Sequence, residues 1–264
     1  MRVGVGGLGA AGLPVVLRLG DGLPGLVLTA IASRDRDKAH RMLGGIDVPI
    51  VSPGELGEMC DVVVECLPPA VFRTIAEPAI DRGRILMPLS VGQLLDSWDL
   101  VDRAAQSGGR IIVPTGALLG LDAVRAAAEG TIRSVTMVTR KPPNGLAGAP
   151  YLQERAIELS GLTEPLKVFE GTAREAARGF PANLNVAVAL SLAGIGPDRT
   201  RLEIWADPTV QRNMHRIEVD ADSARFSMAI ENVPSYENPR TGRITALSTL
   251  AALRGLVSNL KIGS

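Results

Sequence analysis

Residues 7–12 read Gly7-Leu8-Gly9-Ala10-Ala11-Gly12 and come directly after the apolar run Arg2–Gly6. In a GxGxxG motif between a strand and a helix, the first glycine makes a tight turn, the second lets a diphosphate approach the backbone, and the third lets the helix pack closely. An overlapping frame begins at Gly4 but leaves only three residues for the strand. The motif alone also occurs as an ordinary glycine-rich turn in α/β folds. Its place after an apolar run favours the frame at Gly7 and predicts a dinucleotide-binding loop, with the N-terminus of the next helix facing the diphosphate.

Outward from this loop, short apolar runs alternate with helix-like stretches over the first 115 residues. Apolar runs without internal alternation are typical of parallel strands covered by helices on both faces. The predicted strands are Arg2–Gly6, Leu26–Ala32, Asp61–Cys66, Arg84–Leu89 and Arg110–Val113, and the predicted helices are Gly9–Leu19, Asp35–Leu43, Pro69–Arg82 and Leu94–Ser107. The fold class is therefore α/β, with an N-terminal Rossmann parallel sheet in residues 1–116.

The pattern changes after Gly116. Alternation of apolar and polar residues predicts antiparallel strands with one buried face, and Ala-rich or apolar stretches with helical spacing predict helices. The predicted strands are Ser134–Arg140, Arg201–Ala206, Met214–Val219 and Ala224–Glu231, and the predicted helices are Ala173–Ala193, interrupted at Phe180-Pro181, and Ile244–Leu260. We expect a second α+β domain in residues 117–240, with an open, largely antiparallel sheet for substrate binding and dimerisation. Residues 241–264 are expected to return to the first domain as a helix.

The end of the second predicted strand bears on the choice of cofactor. An acidic residue at this place normally binds the adenosine ribose of NAD, but the chain has Ser33 and Arg34 there. A hydroxyl and a guanidinium suit a 2′-phosphate, so NADP binding is predicted alongside NAD. In the alternative interpretation, Arg34 is only a solvated residue before a helix and Asp35 is the helix N-cap.

The run Cys66-Leu67-Pro68-Pro69 follows the carboxyl end of the third predicted strand. In open α/β sheets this edge lines the ligand crevice, so Cys66, Leu67 and Pro68 are predicted to lie at the cofactor. With no histidine nearby in the sequence, Cys66 itself is interpreted as a packing residue rather than a nucleophile.

Composition narrows the function classes. The 28 basic residues balance the 28 acidic ones, which argues against nucleic acid or an anionic membrane as a partner. The chain shows no leader-like segment and no apolar run long enough to span a membrane. With only two cysteines and no metal-binding motif, we expect reduced thiols, a cytoplasmic location and no metal.

A set of motifs spread over most of the chain resembles the L-aspartate dehydrogenase family of two-domain NAD(P)-dependent oxidoreductases. The strongest are the segment 180–187, Phe180-Pro181-Ala182-Asn183-Leu184-Asn185-Val186-Ala187, and the two segments Ala206-Asp207-Pro208 and Asn213-Met214-His215. The others are Val64-Glu65-Cys66, Ser90-Val91-Gly92, Gly116-Ala117, Gly120-Leu121-Asp122, Thr139-Arg140-Lys141-Pro142-Pro143, Ala173-Arg174-Glu175-Ala176-Ala177, Asn238-Pro239 and Ile244-Thr245-Ala246-Leu247-Ser248.

The resemblance implies oxidation of L-aspartate at Cα by hydride transfer to NAD or NADP. The product, iminoaspartate, hydrolyses to oxaloacetate and ammonia or feeds NAD biosynthesis. The resemblance also implies that His215 is catalytic and that Ala117 and Asn185 contact the cofactor, and we place Ser90 with them. Three positions depart from the family pattern, which leaves the identity of the substrate more open than the reaction type: Gln93, Leu119 and Gly242.

Residue chemistry alone gives His215 two interpretations. An imidazole titrates near working pH and suits general acid/base catalysis. A strand histidine bonded to a neighbouring carbonyl is the structural alternative. The other histidine, His40, lies in a charged predicted helix and is expected to face solvent.

A dicarboxylate substrate needs cationic side chains. Lys141 and Arg174 are favoured because they fall in matched motifs, although Lys141 also suits a strand end and Arg174 an ion pair with Glu170. Asn183 is a third substrate candidate, or else a helix N-cap. The remaining basic candidates are Arg140, Arg178, Arg240 and Arg243.

Two further functions stay open at this stage. One is a dehydrogenase or imine reductase for another amino or imino acid, which the departures at Gln93 and Leu119 motivate. The other is a dinucleotide-binding sensor without turnover, against which His215 and the motifs of the second domain argue. A homodimer is expected, because an open sheet with one apolar face needs covering.

Overall fold

The computed structural model describes residues 1–181, 184–238 and 241–263. The chain divides into two compact units, each with its own hydrophobic core. Unit 1 comprises Met1–Pro114 and Thr245–Lys261, and unit 2 comprises Thr115–Ile244 and Ile262–Ser264. The biochemical roles assigned to the predicted domains stay predictions.

Unit 1 is a six-stranded parallel sheet with the strand order β3-β2-β1-β4-β5-β6. This is the Rossmann order, in which successive strands are added outward on one side of β1 and then on the other, and a ligand crevice lies at the carboxyl ends of the strands where this order reverses. The strands are β1 Arg2–Gly6, β2 Val27–Ala32, β3 Ile50–Val51, β4 Val62–Glu65, β5 Ile85–Pro88 and β6 Arg110–Ile111. The helices are α1 Gly12–Gly20, α2 Arg36–Leu43, α3 Leu56–Met59, α4 Phe72–Asp81 and α5 Asp99–Ser107. The predicted parallel α/β sheet is confirmed.

Unit 2 is a five-stranded mixed sheet with the order β11-β10-β7-β9-β8. Only β7 and β9 run parallel, so the predicted open, largely antiparallel sheet is confirmed. The strands are β7 Ile132–Lys141, β8 Leu166–Thr172, β9 Arg201–Ala206, β10 Asn213–Ala221 and β11 Arg225–Asn232. The helices are α6 Leu121–Ala128, α7 Pro150–Glu154, α8 Ala173–Gly179 and α9 Asn185–Ala193, and the last helix of the chain is α10 Ile244–Val257.

Helices of unit 2 cover the apolar face of its own sheet. Val124 of α6, Ala176 of α8 and Leu190 of α9 share one core with Met137 and Ile217 of the sheet. The opposite face carries mixed polar residues, as the alternation along β10 predicts. The apolar face therefore does not need a second chain to cover it, and that argument for a homodimer was wrong.

Several elements differ from the predictions for local reasons. The strand β3 has two residues and β8 lies beyond a turn-rich stretch, so neither shows a clear period. The predicted helix starts at Pro69 and Leu94 lie in 3-10 turns, Pro69–Val71 and Val91–Asp96. In the described ranges, no helix is both long enough and apolar enough to cross a membrane.

Candidate active site

The turn after β1 takes the shape that the glycine motif predicts. Gly7 has φ +97°, a left-handed conformation that side chains disfavour. A Cβ atom on Gly7 would lie 2.5 Å from the carbonyl oxygen of Cys66. The Gly7 N–H donates to the carbonyl of Ala32, 2.8 Å away, which places the turn beside the end of β2. Gly4 and Gly6 belong to β1, so the frame beginning at Gly7 is the one that follows a strand.

The rest of the loop leaves room for a diphosphate. A Cβ atom on Gly12 would collide with the Gly7 carbonyl, whereas one on Gly9 would meet no protein atom within 4 Å. Leu8 packs on the core of unit 1. The residue before α1, Ala11, gives the helix no side-chain cap. In the first turn the Leu13 N–H donates to the Gly9 carbonyl at 3.0 Å and Pro14 has no N–H, so it is mainly the positive end of the helix dipole that would attract an anion here. These residues, with Ala10 between them, fit a dinucleotide diphosphate.

Replacing Gly9 with alanine should weaken binding of NADH and NADPH at least tenfold, because a methyl group would occupy the space through which a diphosphate approaches the backbone. Thermal stability should not fall, since the new Cβ meets no protein atom. Fluorescence titration with the reduced cofactors and a thermal melt measure the two effects. Gly255→Ala in α10 is the matched control, because its Cβ also meets nothing within 4 Å. A Gly9→Ala protein with unchanged affinity would contradict the predicted diphosphate position.

The residues after β2 were interpreted from the sequence either as a 2′-phosphate site at Ser33 and Arg34 or as a helix start capped by Asp35. Asp35 is the N-cap of α2 and accepts a hydrogen bond from the Lys38 N–H at 2.9 Å. Arg34 is exposed, and the Ser33 hydroxyl donates to the Asp35 carbonyl at 3.2 Å. The N-cap alternative for Asp35 is therefore correct, and Ser33 and Arg34 remain at the carboxyl end of β2 next to the glycine loop.

The loops after β4 and β5 meet at the same edge of the sheet. Ser90, after β5, donates from its hydroxyl to the carboxylate of Glu65 at 3.0 Å and lies 3.2 Å from the carbonyl oxygen of Leu67. Cys66 is a free thiol, and burial together with the Glu65 charge raises its pKa well above the usual range. A thiol of this kind is a poor nucleophile, which agrees with the packing role predicted for it.

In unit 2, five polar side chains occupy one end of the inner face of the sheet. His215 and Asn213 lie on β10, Thr139 and Lys141 on β7, and Asn232 on β11. The strand register places Thr139 and His215 opposite each other, and likewise Asn213 and Asn232. All five are buried. Polar side chains are mostly exposed in folded proteins, so a buried group of five that includes a histidine is a candidate site.

His215 has the environment of a neutral imidazole. Its Nδ1 lies 3.1 Å from the hydroxyl oxygen of Thr139. Burial, and then the positive charge of Lys141, lower its pKa to about 3. The ring is thus uncharged at neutral pH. In the tautomer whose Nδ1–H donates to Thr139, the lone pair of Nε2 is available to accept a proton.

Lys141 is buried at the end of β7, with 3% of its surface exposed. An ammonium group in this position favours an anionic ligand. Asn232 donates from Nδ2 to the carbonyl of Ala117 at 2.9 Å, and its Oδ1 is the one buried side-chain oxygen or nitrogen of the described residues that has no hydrogen-bond partner. Ala117, predicted from the family to contact the cofactor, is thereby connected to the polar cluster.

Other predicted residues lie elsewhere. Arg174 forms an ion pair with Asp198, at 2.6 Å, rather than with the expected Glu170. Asn185 is the first residue of α9. Asn183 lies outside the described residues. Among the other basic candidates, Arg140 pairs with the buried Asp207 at 3.0 Å and stacks on Trp205, Arg243 stacks on Tyr236, Arg178 lies in α8, and Arg240 is outside the described ranges.

Sequence reasoning gave no role to four polar residues of these clusters: Glu65, Thr139, Asn213 and Asn232. Glu65 and Thr139 each lay inside a quoted motif, and a charged residue ending an apolar strand was a usable signal for Glu65. Asn232 had no signal, because its position depends on pairing with β10. The described residues contain no cluster of three or more His, Cys, Asp or Glu side chains that suits a metal ion.

Comparison with known proteins gives consistent matches over the full chain. The family profile "Aspartate dehydrogenase, C-terminal" matches residues 122–256. An L-aspartate dehydrogenase of Bradyrhizobium diazoefficiens is 59% identical over 266 residues, covering 100% of this chain and 94% of the relative. L-aspartate dehydrogenase 3 of Bordetella bronchiseptica is 54% identical, covering 100% of this chain and 98% of the relative.

The fold also has a counterpart among solved structures. The crystal structure of an aspartate dehydrogenase from Thermotoga maritima aligns with a TM-score of 0.76, covering 100% of this chain and 99% of that one. Sequence identity in this alignment is 23%, so the likeness supports the fold.

Proposed function

This chain belongs to the aspartate dehydrogenase family, as its motifs predict, and on that premise we propose that it oxidises L-aspartate at Cα with NAD or NADP as the hydride acceptor. The observation that carries the proposal is the presence of a neutral, buried His215 and a buried Lys141 on neighbouring strands at one end of the unit 2 sheet. A base and an anion-binding group are what the oxidation of an acidic amino acid needs.

The bound dinucleotide would supply the chemistry of the redox step by taking the hydride from Cα. The glycine loop Gly7–Gly12 would hold its diphosphate, and Cys66, Leu67, Pro68 and Ser90 would line its place at the sheet edge. The resemblance to the family implies that Ala117 and Asn185 contact the cofactor as well, and we keep both as proposed cofactor residues.

His215 would act as the base. A neutral Nε2 accepts the proton that leaves the substrate ammonium or the water that hydrolyses the imine. Thr139 would position the ring by its contact with Nδ1, 3.1 Å away. Overall, aspartate, water and the oxidised cofactor give oxaloacetate, ammonium, the reduced cofactor and one proton. Release of iminoaspartate before hydrolysis would instead feed NAD biosynthesis.

Lys141 would bind a substrate carboxylate. The buried ammonium lowers the pKa of His215, and a bound carboxylate would offset this effect. Arg174 would first have to leave Asp198, so we rank it below Lys141 as a substrate ligand. Asn183 stays a candidate on its motif alone.

NADP use is supported by the residues that follow β2. Arg34 is exposed and has the positive charge that a 2′-phosphate needs, and the carboxylate of Asp35 is bonded to the Lys38 N–H as a helix cap. We therefore propose that NADP is accepted in addition to NAD.

The test is a spectrophotometric assay of purified protein with L-aspartate and either NAD⁺ or NADP⁺. We expect reduced cofactor to form with aspartate and little to form with glutamate or alanine, and the two rates rank the cofactors. Turnover of another amino acid in place of aspartate would favour the alternative of a dehydrogenase or imine reductase with a different substrate. Tight binding of reduced cofactor without any turnover would favour a dinucleotide-binding sensor.

We also propose a homodimer that joins the outer faces of two unit 2 sheets. This face carries positive and negative side chains next to each other, Arg216 beside Glu218 and Lys167 beside Glu170. It also carries the part-buried Trp205. A face of mixed charge can be self-complementary under twofold symmetry. Sedimentation velocity would disprove this assembly by returning a monomer at micromolar concentration.

A cytoplasmic location is supported by the state of the cysteines. Cys60 and Cys66 are both free thiols. Free thiols are typical of reducing compartments. Fractionation of the source cells with an antibody tests this proposal, and recovery outside the cytoplasm would reject it.

A further inference from the structure

Glu65 is a fully buried carboxylate in the unit that would bind the cofactor. It ends β4, between Gly6 of β1 and Pro88 of β5, and none of its surface is exposed. Among the described residues, no Lys, Arg or His forms an ion pair with Glu65. A buried charge without a counter-charge is costly, so the position calls for an explanation.

The two oxygens of Glu65 connect two loops. Oε1 accepts from the Leu67 N–H at 2.8 Å and from the Ser90 hydroxyl at 3.0 Å. Oε2 accepts from the Ser90 N–H at 3.0 Å. The carboxylate thus ties the loop after β4 to the loop after β5 through three donors, which stabilise its ionised form.

The tied loops lie against the glycine loop. A Cβ atom on Gly7 would lie 2.5 Å from the Cys66 carbonyl oxygen, and one on Gly12 would lie 3.3 Å from the Cys66 Cβ. In this fold the carboxyl edge of the sheet binds the dinucleotide. Glu65 therefore holds the loops at the edge where the cofactor is expected.

The charge of Glu65 has a second consequence. An oxidised nicotinamide ring carries one positive charge and a reduced ring carries none, so a nearby buried anion distinguishes the two forms. We propose that Glu65 is a positioning residue that ties the cofactor loops and, through its negative charge, favours the oxidised dinucleotide over the reduced one. This inference rests on the proposed cofactor-dependent function but not on the identity of the amino acid substrate.

The test compares dissociation constants of the oxidised and reduced cofactors for the wild type, Glu65→Gln and Ser90→Ala. Glu65→Gln removes the negative charge. Ser90→Ala removes the hydrogen bond from the Ser90 hydroxyl to Glu65 and keeps the carboxylate. We expect Glu65→Gln to raise the Kd of the oxidised form about tenfold more than that of the reduced form, as for an interaction of one pKa unit. Ser90→Ala should change both by the same factor. An equal change of both forms in Glu65→Gln, or none, would overturn the role of the charge.

Wild-type protein gives a second test if Glu65→Gln does not fold. Burial raises the pKa of Glu65 although its hydrogen bonds to Ser90, Leu67 and Leu89 oppose the shift. Lowering the pH from 8 to 5 should therefore protonate Glu65 before exposed carboxylates, and the preference for the oxidised form should decline with that protonation. A preference that stays constant would overturn the proposal. Both tests measure cofactor binding only, so their results would stand even if the protein does not oxidise aspartate.

The other charged groups near β4 do not account for such a change. Cys66 is the titratable neighbour that couples to Glu65, and its raised pKa keeps it neutral over this range. The charged side chains on the elements packed against β4 are in ion pairs: Arg2 with Asp61, Glu58 with Arg82, Arg73 with Asp99, Glu77 with Arg73, and Asp81 with Arg103.

Discussion

Replacing His215 with alanine should lower kcat for aspartate by about 10²- to 10⁴-fold, the usual loss when a general base is removed. The affinity for NADPH should stay the same, because the cofactor would bind through the glycine loop of unit 1. Stopped-flow turnover and fluorescence titration measure the two quantities. His40→Ala is the matched control, since His40 is exposed on α2 and should leave both values unchanged.

The lowered pKa of His215 also predicts how kcat/KM depends on pH. Burial and Lys141 lower the pKa of His215 to about 3, so the free protein holds the active, neutral ring at every pH above about 4. The kcat/KM of the wild type should therefore show no ionisation of His215 near pH 6.5. A His215→Ala protein with wild-type turnover, or a clear loss of kcat/KM with a midpoint near 6.5 that vanishes in this variant, would contradict the assigned state of the base.

Unit 1 was largely predictable because its signals are local. A turn or a strand of this unit is specified by a few consecutive residues, as in the spacing of Gly7, Gly9 and Gly12 and in the apolar runs around it. The predicted first strand, Arg2–Gly6, matches β1 at both ends. The short β3 was missed because two residues cannot show a period.

The polar clusters were harder to predict because pairing between distant strands creates them. His215 meets Thr139 only through the register of β10 with β7, and Asn232 reaches Ala117 across 115 residues. Likewise, Glu65 looks like any charged residue that ends a strand until Ser90 is placed beside it. A resemblance to a family can nominate individual positions, as it did for His215 and Lys141, but it does not say which neighbours hold them.

Replacing Lys141 with methionine should raise the KM for aspartate on the order of a hundredfold, because truncating a buried charge that pairs with an anion costs several kcal/mol of binding. Methionine keeps most of the side-chain volume, and a thermal melt of the variant checks that the fold is kept. Steady-state kinetics with aspartate, together with cofactor titration, separate a substrate effect from a cofactor effect. Lys167→Met is the control, since Lys167 pairs with Glu170 on the exposed face of β8 and should leave the KM unchanged.

A second readout distinguishes this role of Lys141 from a structural one. Its charge lowers the pKa of His215, so Lys141→Met should raise that pKa, and a proton NMR titration of the imidazole measures the change. Alanine lacks the side-chain carboxylate, so its inhibition constant against aspartate oxidation identifies the group that Lys141 binds. If Lys141→Met raises the KM for aspartate and leaves the inhibition constant of alanine unchanged, the ammonium holds the side-chain carboxylate. An equal rise of both constants assigns it to the α-carboxylate, and an unchanged KM for aspartate would remove Lys141 from the substrate site.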